Sequence, residues 1–201
     1  MKTKLLLTVL TSLAASTLFA AESPRVGTAA PDFSLPDAHG KTHSLANLKG
    51  KYVVLEWFNP ECPFVKKHYG SGHMQKLQEE YAGQGVVWMS IDSSAVGSQG
   101  NLTAEEASKK MADWKMNHTT LLLDPAGKAA RAYAAKNTPH MFVINPEGKV
   151  IYEGAIDSKA STNPADLGSA TNYVKAALDE SLSGKAVSTA STKPYGCSVK
   201  Y

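Results

Sequence analysis

A cysteine standing where an apolar run gives way to a helix-forming stretch constrains this chain more than any other feature. Val53-Val54-Leu55-Glu56-Trp57-Phe58 reads as a buried strand, Asn59-Pro60-Glu61 as a turn, and Cys62-Pro63-Phe64-Val65 as a helix start. Pro63 takes the first helical position, where its missing N–H costs nothing and its fixed φ is already helical. The Cys62 sulfur is thereby placed at a helix N-terminus, where unpaired backbone N–H groups and the helix dipole favour an anion. That setting lowers a thiol's pKa, and the thiolate is the nucleophilic form.

The chain has 201 residues, 43% hydrophobic and 19% charged, enough for one ordinary globular domain with appendages. It opens with Met1-Lys2-Thr3-Lys4 and an uncharged stretch from Leu5 to Ala21 that is short and rich in Thr, Ser and Ala. This pattern reads as a secretory signal peptide over 1–20, cut after Ala20, with an uncleaved anchor as the alternative. The expected organisation is then a domain over 21–184 and a tail over 185–201 that carries Cys197, in a secreted or periplasmic protein without stable membrane insertion. Loss of Lys2 and Lys4 takes the 21 basic residues to 19 against 18 acidic ones, a net charge of +1. No basic stripe with interleaved aromatics is present, so nucleic acid is not an implied partner. An oxidising compartment makes a disulfide between the two cysteines a stable state.

Two short extended segments, 31–36 and 41–45, flank the turn Asp37-Ala38-His39-Gly40 and predict a hairpin. The near-continuous apolar run 52–58 predicts a central parallel strand covered on both faces. A helix follows from Cys62 towards Tyr81, with a kink or break at Gly70-Ser71-Gly72. A strand over 85–92, a solvent-facing polar loop over 93–101, a helix from Thr103 to about Met116 and a strand over 119–124 come next. A short helix over 129–135 leads to a hairpin formed by 140–145 and 149–153. The last helix is expected from Pro164 to about Leu182, followed by a mobile tail of small and polar residues.

A β-α-β half followed by a β-β-α half is an α/β sandwich, a central mixed sheet flanked by helices, here with an N-terminal β-hairpin extension. Four segments resemble the thioredoxin superfamily, specifically its redoxin branch of alkyl hydroperoxide reductase and thiol-specific antioxidant proteins. They are Val26 to Leu35, Leu48 to Leu55, Cys62-Pro63, and Thr138-Pro139-His140-Met141-Phe142-Val143-Ile144-Asn145. The resemblance implies a thioredoxin-like fold and makes Cys62 the reactive thiol. Val65 stands where thioredoxins carry the second cysteine of their Cys-x-x-Cys motif. Pro139 resembles the cis-proline that packs beside the active sulfur.

Glu56 lies six residues before Cys62, inside an apolar strand, where poor solvation raises a carboxyl's pKa towards neutrality and fits it to exchange protons. The same residue reads equally as an edge-facing or salt-bridged glutamate with no chemical role. His140 follows Pro139 and is a candidate proton donor or thiolate partner for Cys62, or else an ordinary strand-start histidine. Two features depart from peroxiredoxins: Asn59 stands in the slot of their Thr or Ser, and Pro139 in the slot of their arginine. Arg25 and Arg131 are the only arginines in the chain and neither lies on a matching motif. A cationic fork that would polarise a peroxide is therefore missing, whereas disulfide exchange needs only a thiolate, a leaving thiol and access.

Cys197 is the one other cysteine, and it resembles redoxin-like tails with a Gly-Cys-Ser-Val-Lys ending. It reads as the resolving thiol, or as one end of a permanent structural disulfide worth about 5 kcal/mol for so long a loop. The sequence thus points to an exported thiol oxidoreductase acting on protein disulfides or small peroxides, with an unidentified thiol as electron donor and no cofactor. A copper carrier is the competing class, because Cys62, His68, His73 and Met74 supply thiolate, imidazole and thioether within one region.

Overall fold

The computed structural model describes Pro24 and residues 26–201; the expected signal peptide, 1–20, lies outside the described residues. A five-stranded sheet organises the fold, with β3 (Val53–Trp57) at its centre and every residue of that strand buried. On one side β3 pairs in parallel with β4 (Val87–Asp92), which pairs in parallel with β5 (Thr120–Leu123). On the other side it pairs antiparallel with β7 (His140–Ile144), which pairs antiparallel with β8 (Val150–Gly154). The central strand is thus parallel on one flank only, and its continuous apolarity reflects two covered faces, as expected.

The period of two divides β3 between two cores. Val54 and Phe58 face a layer built from α1 (Pro63–Gly70), α2 (His73–Ala82), α3 (Ala104–Asp113) and α5 (Tyr173–Leu182), where Val65, Tyr69, Leu77, Ala107 and Leu178 are buried. Val53, Leu55 and Trp57 face the other layer, against α4 (Lys128–Ala132) and the hairpin of β1 (Ser34–Pro36) and β2 (Thr42–Ser44). There Trp57, Tyr133 and Phe142 meet edge-on or tilted at centroid separations of 5.1–5.4 Å. Each such side chain contributes about 1.5–3 kcal/mol by burial.

Local chemistry sets the element ends. Asp37 closes the hairpin turn by accepting from the backbone N–H of His39 and Lys41, and Gly40 supplies the positive φ of +78°. Of the kink or break expected at Gly70-Ser71-Gly72, the structure has the break, with α1 ending at Gly70 and α2 starting at His73. Ser71 Oγ caps the carbonyls of Lys67 and His68, and Gly72 at φ +72° starts α2. Thr103 and Glu106 form a reciprocal capping box on α3.

Three expectations are corrected. The loop over 93–101 does not simply face solvent: Ser93, Ser94 and Gly100 are buried. Ser93 accepts from Trp57 Nε1 and donates to Asp124, because buried polar atoms at the strand ends need partners. The last helix does not run from Pro164. A 3-10 segment, Pro164–Ser169, ends before Asn172, whose side chain caps α5 by accepting from Lys175 N.

Third, the tail is bound along its length rather than mobile. Ser188 donates to Glu180 through its N–H and its hydroxyl, and backbone bonds tie Glu153 to Ala190 and Thr192. Ala155 N donates to Thr192 Oγ1, and β9 (Cys197–Ser198) pairs antiparallel with β6 (Asn137–Thr138). Small polar residues here serve as backbone and hydroxyl partners for a sheet edge. Gly154 makes the close approach possible: its φ is +138°, and a Cβ there would lie 2.3 Å from Thr192 O. Gly154→Ala is therefore expected to cost more than about 1 kcal/mol in urea unfolding and to expose residues 188–194 to proteolysis; unchanged stability and resistance would contradict this account of the tail.

Candidate active site

Cys62 is the N-cap of α1, with extended backbone (φ −68°, ψ 122°) and Pro63 behind it. The turn before it is fixed by Asn59, whose Oδ1 accepts from Glu61 N at 2.8 Å and whose Nδ2 donates to Gln99 O at 2.9 Å. Cys62 is 2% exposed. As a thiol it donates to Thr138 O at 3.0 Å, on the carbonyl side of the Thr138-Pro139 peptide, which is cis. β9 lies across the same point, with Thr138 and Cys197 paired in register.

The two cysteines interact directly, and both are free thiols. Burial alone would raise the Cys62 pKa. The Cys197 thiol, the Thr138 side chain and the backbone N–H groups of Val65 and Cys197 outweigh burial and bring it below the ordinary thiol value. Burial, and then the neighbouring Cys62, push Cys197 up to about 12. Of the two thiols Cys62 is therefore the more acidic, and Cys197 the one that keeps its proton longer. Gly196 permits the approach: at φ +126°, a Cβ there would sit 2.1 Å from Thr138 O. No other residue fits between the cis-peptide and the second thiol.

The structure brings Cys62, Cys197 and the Thr138-Pro139 peptide together, while Glu56 and His140 make their hydrogen bonds to groups other than the sulfur. Glu56 is fully buried, and its Oε2 accepts from Tyr69 Oη at 2.8 Å, Trp88 Nε1 at 3.1 Å and Ser90 Oγ at 3.0 Å. Its Oε1 has no partner. Burial, opposed by these three bonds, pushes its pKa up to about 7. None of the bonds reaches the sulfur. His140 is cross-strand from Trp57 and so faces the opposite layer, its ring 4.6 Å from Phe142. Its Nδ1 accepts from Lys136 N at 3.3 Å and its Nε2 lies 3.4 Å from Glu153. The alternation of the strand, which sequence adjacency to Pro139 conceals, turns it away from Cys62.

The copper set is not assembled. His68 is buried with its Nδ1 3.2 Å from His73 Nδ1, and Met74 lies in the core. Burial, then the Lys67 charge, lower the His68 pKa to about 3. Among the described residues no group of three or more His, Cys, Asp and Glu side chains could hold a metal. Of the two arginines, Arg131 lies over the Tyr201 ring at 4.7 Å and bonds Ala126 O; Arg25 is outside the described residues. Thr138, Gly196 and the Asn59 anchor were not singled out as site residues from sequence. The Gly196-Cys197 step was the one visible signal, since a glycine beside a functional thiol marks close backbone approach.

The protein-family model described as the AhpC/TSA family matches residues 26–153. Thiol-disulfide oxidoreductase ResA of Bacillus subtilis is 31% identical over 132 residues, covering 65% of this chain and 67% of that protein. The crystal structure of a hypothetical protein from Sinorhizobium meliloti superposes with TM-score 0.74 at 29% identity, covering 90% of this chain and 96% of that one. A structure assigned as thiol:disulfide interchange protein DsbE, from Chlorobium tepidum, gives TM-score 0.55 at 27% identity and covers 65% and 85%. The family match includes Cys62 and ends before Cys197.

Glu56 supplies a pH test. Its folded pKa is raised from 4.5 to about 7, so the fold favours its protonated form. The associated stability is complete below the unfolded value and is lost as pH rises through about 7. Relative to Glu56→Gln, the wild type is expected to lose ~3 kcal/mol between pH 4 and pH 8 in urea titrations. Parallel pH profiles for the two proteins would contradict a buried, proton-exchanging carboxyl.

Proposed function

The chain belongs to the AhpC/TSA family and is an oxidoreductase of the thioredoxin-like superfamily, and we propose that it exchanges disulfides with Cys62 as nucleophile and Cys197 as resolving thiol. The observation that carries this reading is the asymmetric pair: two free thiols brought together by the pairing of β9 with β6, the Cys62 thiol made more acidic than usual and the Cys197 thiol pushed up to about 12. The Cys62 thiolate attacks one sulfur of a substrate disulfide; that S–S bond breaks and the leaving sulfur takes a proton. Once Cys62 is bonded to sulfur it carries no negative charge, and what held the proton on Cys197 is weakened. Cys197 then attacks the Cys62 sulfur, forming the internal disulfide and releasing the second substrate thiol. An external thiol donor restores the dithiol.

The anchored tail supports reversible use over a permanent staple. Its hydrogen bonds hold Cys197 beside Cys62 in the dithiol form, so the fold does not need a covalent bond to keep the tail in place. Because Cys62 is 2% exposed, an external disulfide reaches it when β9 lifts from β6. Disulfides are preferred to peroxides because, among the described residues, no arginine faces Cys62 and the Asn59 side chain is occupied by its own turn. Pro139 follows the Thr138 carbonyl that faces the Cys62 sulfur, and the proposed exchange assigns no step to Glu56 or His140.

With residues 1–20 read as an export signal, the proposed exchange belongs to an oxidising compartment. Among the described residues no helix is long and apolar enough to cross a membrane.

The test uses a peptide disulfide with dithiothreitol as donor. Cys62→Ser is expected to fall to the uncatalysed rate. Cys197→Ser is expected to accumulate a mixed disulfide on Cys62, detected by mass spectrometry, and to turn over at least about tenfold more slowly. Wild-type turnover by Cys197→Ser, with no trapped intermediate, would refute its resolving role.

A further inference from the structure

Lys67 is a lysine in the wrong place for a solvated charge. It sits on α1, five residues past Cys62, with its side chain 0% exposed and its partner Asp157 1% exposed. Its Nζ donates to Asp157 Oδ2 at 3.3 Å and to Lys159 O at 3.0 Å. Asp157 Oδ1 accepts from Lys159 N at 2.8 Å and from Tyr195 Oη at 2.5 Å. Tyr195 lies two residues before Cys197. Its ring is 5.7 Å from that of Phe64, and Lys67 Nζ is 5.6 Å from its centroid. The neighbouring His68 lies 3.7 Å from Asp157 but does not share its charge, being held neutral.

A buried ion pair is a poor stabiliser: apolar residues of the same volume commonly do as well, and removing one partner strands the other. What such a pair provides is a fixed geometry. Here that geometry refers both thiols to one helix. α1 carries Cys62 as its N-cap, and through Phe64 and Lys67 it grips the residue two before Cys197. On the far side of Cys197, Val199 N donates to Lys136 O at 3.1 Å, so the short stretch between is anchored at both ends. Gly196 alone supplies the turn between them.

We infer that Lys67, Asp157 and Tyr195 are positioning residues, a latch that sets the effective concentration of Cys197 at Cys62. This rests on the proposed exchange reaction and adds a division of labour to it. A closed latch promotes the step in which the Cys197 sulfur bonds to the Cys62 sulfur and expels the substrate thiol. The same closed latch keeps β9 seated and opposes the earlier attack on an external disulfide. Weakening the latch therefore moves the two steps in opposite directions, which a simple loss of stability does not.

The variant is Tyr195→Phe in the full chain, which keeps the ring on Phe64 and removes only the hydroxyl on Asp157. The equilibrium constant for the Cys62–Cys197 disulfide is measured in glutathione redox buffers, and the rate of mixed-disulfide formation is measured in the Cys197→Ser background. The constant is expected to fall about tenfold, as for loss of one hydrogen bond to a charged group. Mixed-disulfide formation is expected to be faster, and a slower rate overturns the latch. Ser191→Ala, which removes a tail hydrogen bond to Glu153 remote from the latch, should leave the constant within about twofold. An unchanged constant in Tyr195→Phe, or an equal fall in Ser191→Ala, overturns the latch while the redox reading stands. If the wild type forms no Cys62–Cys197 disulfide in any buffer, both fall together.

Discussion

The sulfur of Cys62 is held where three backbones converge: the first turn of α1, the Thr138-Pro139 peptide and β9. In such a place a thiol is almost out of water, and burial alone would keep it protonated. Its pKa nevertheless falls below the ordinary thiol value because the Cys197 thiol and the surrounding N–H groups are already aimed at it, as fixed dipoles replace the water that was excluded. Every other feature of the site follows from the need to keep those donors in place. Asn59 fixes the turn, Gly196 lets β9 come within contact of Thr138, and the sheet order brings β3 and β7 side by side so that Cys62 and Pro139 start from adjacent strands.

The architecture separates two buried acids with opposite tendencies. Cys62 lies below its usual pKa and Glu56 above it, although both are enclosed in the same layer. The difference is the supply of donors relative to burial. Glu56 receives three hydrogen bonds on one oxygen and none on the other, so desolvation wins. The thiolate, a single centre, receives its donors from several directions. Charge is thereby tolerated at the sulfur and disfavoured in the centre of the sheet.

Much of this was legible from residue types in order. The strand, turn and proline around Cys62 placed the thiol at a helix start, the aspartate-glycine turn announced the first hairpin, and Thr103 with Glu106 marked α3. What was not legible depends on distant partners. A tail of Ser, Thr and Gly reads as mobile until the edge of β8 is there to receive its hydrogen bonds. His140 looks adjacent to the site along the chain, yet the pleat turns it to the other face. Lys67 has no sequence mark of burial, since only Asp157 and Tyr195, far along the chain, neutralise and cover it.

The central claim is that Cys62 is the more acidic of the two thiols and Cys197 the one that retains its proton. Thiolate absorbance in the ultraviolet reports this directly, followed against pH in the wild type, Cys62→Ser and Cys197→Ser. The difference between wild type and Cys62→Ser should titrate below the ordinary thiol range, and Cys197→Ser should move the Cys62 midpoint upward by removing the thiol donor. A wild-type difference curve at or above the ordinary thiol range, unaffected by Cys197→Ser, would contradict the account.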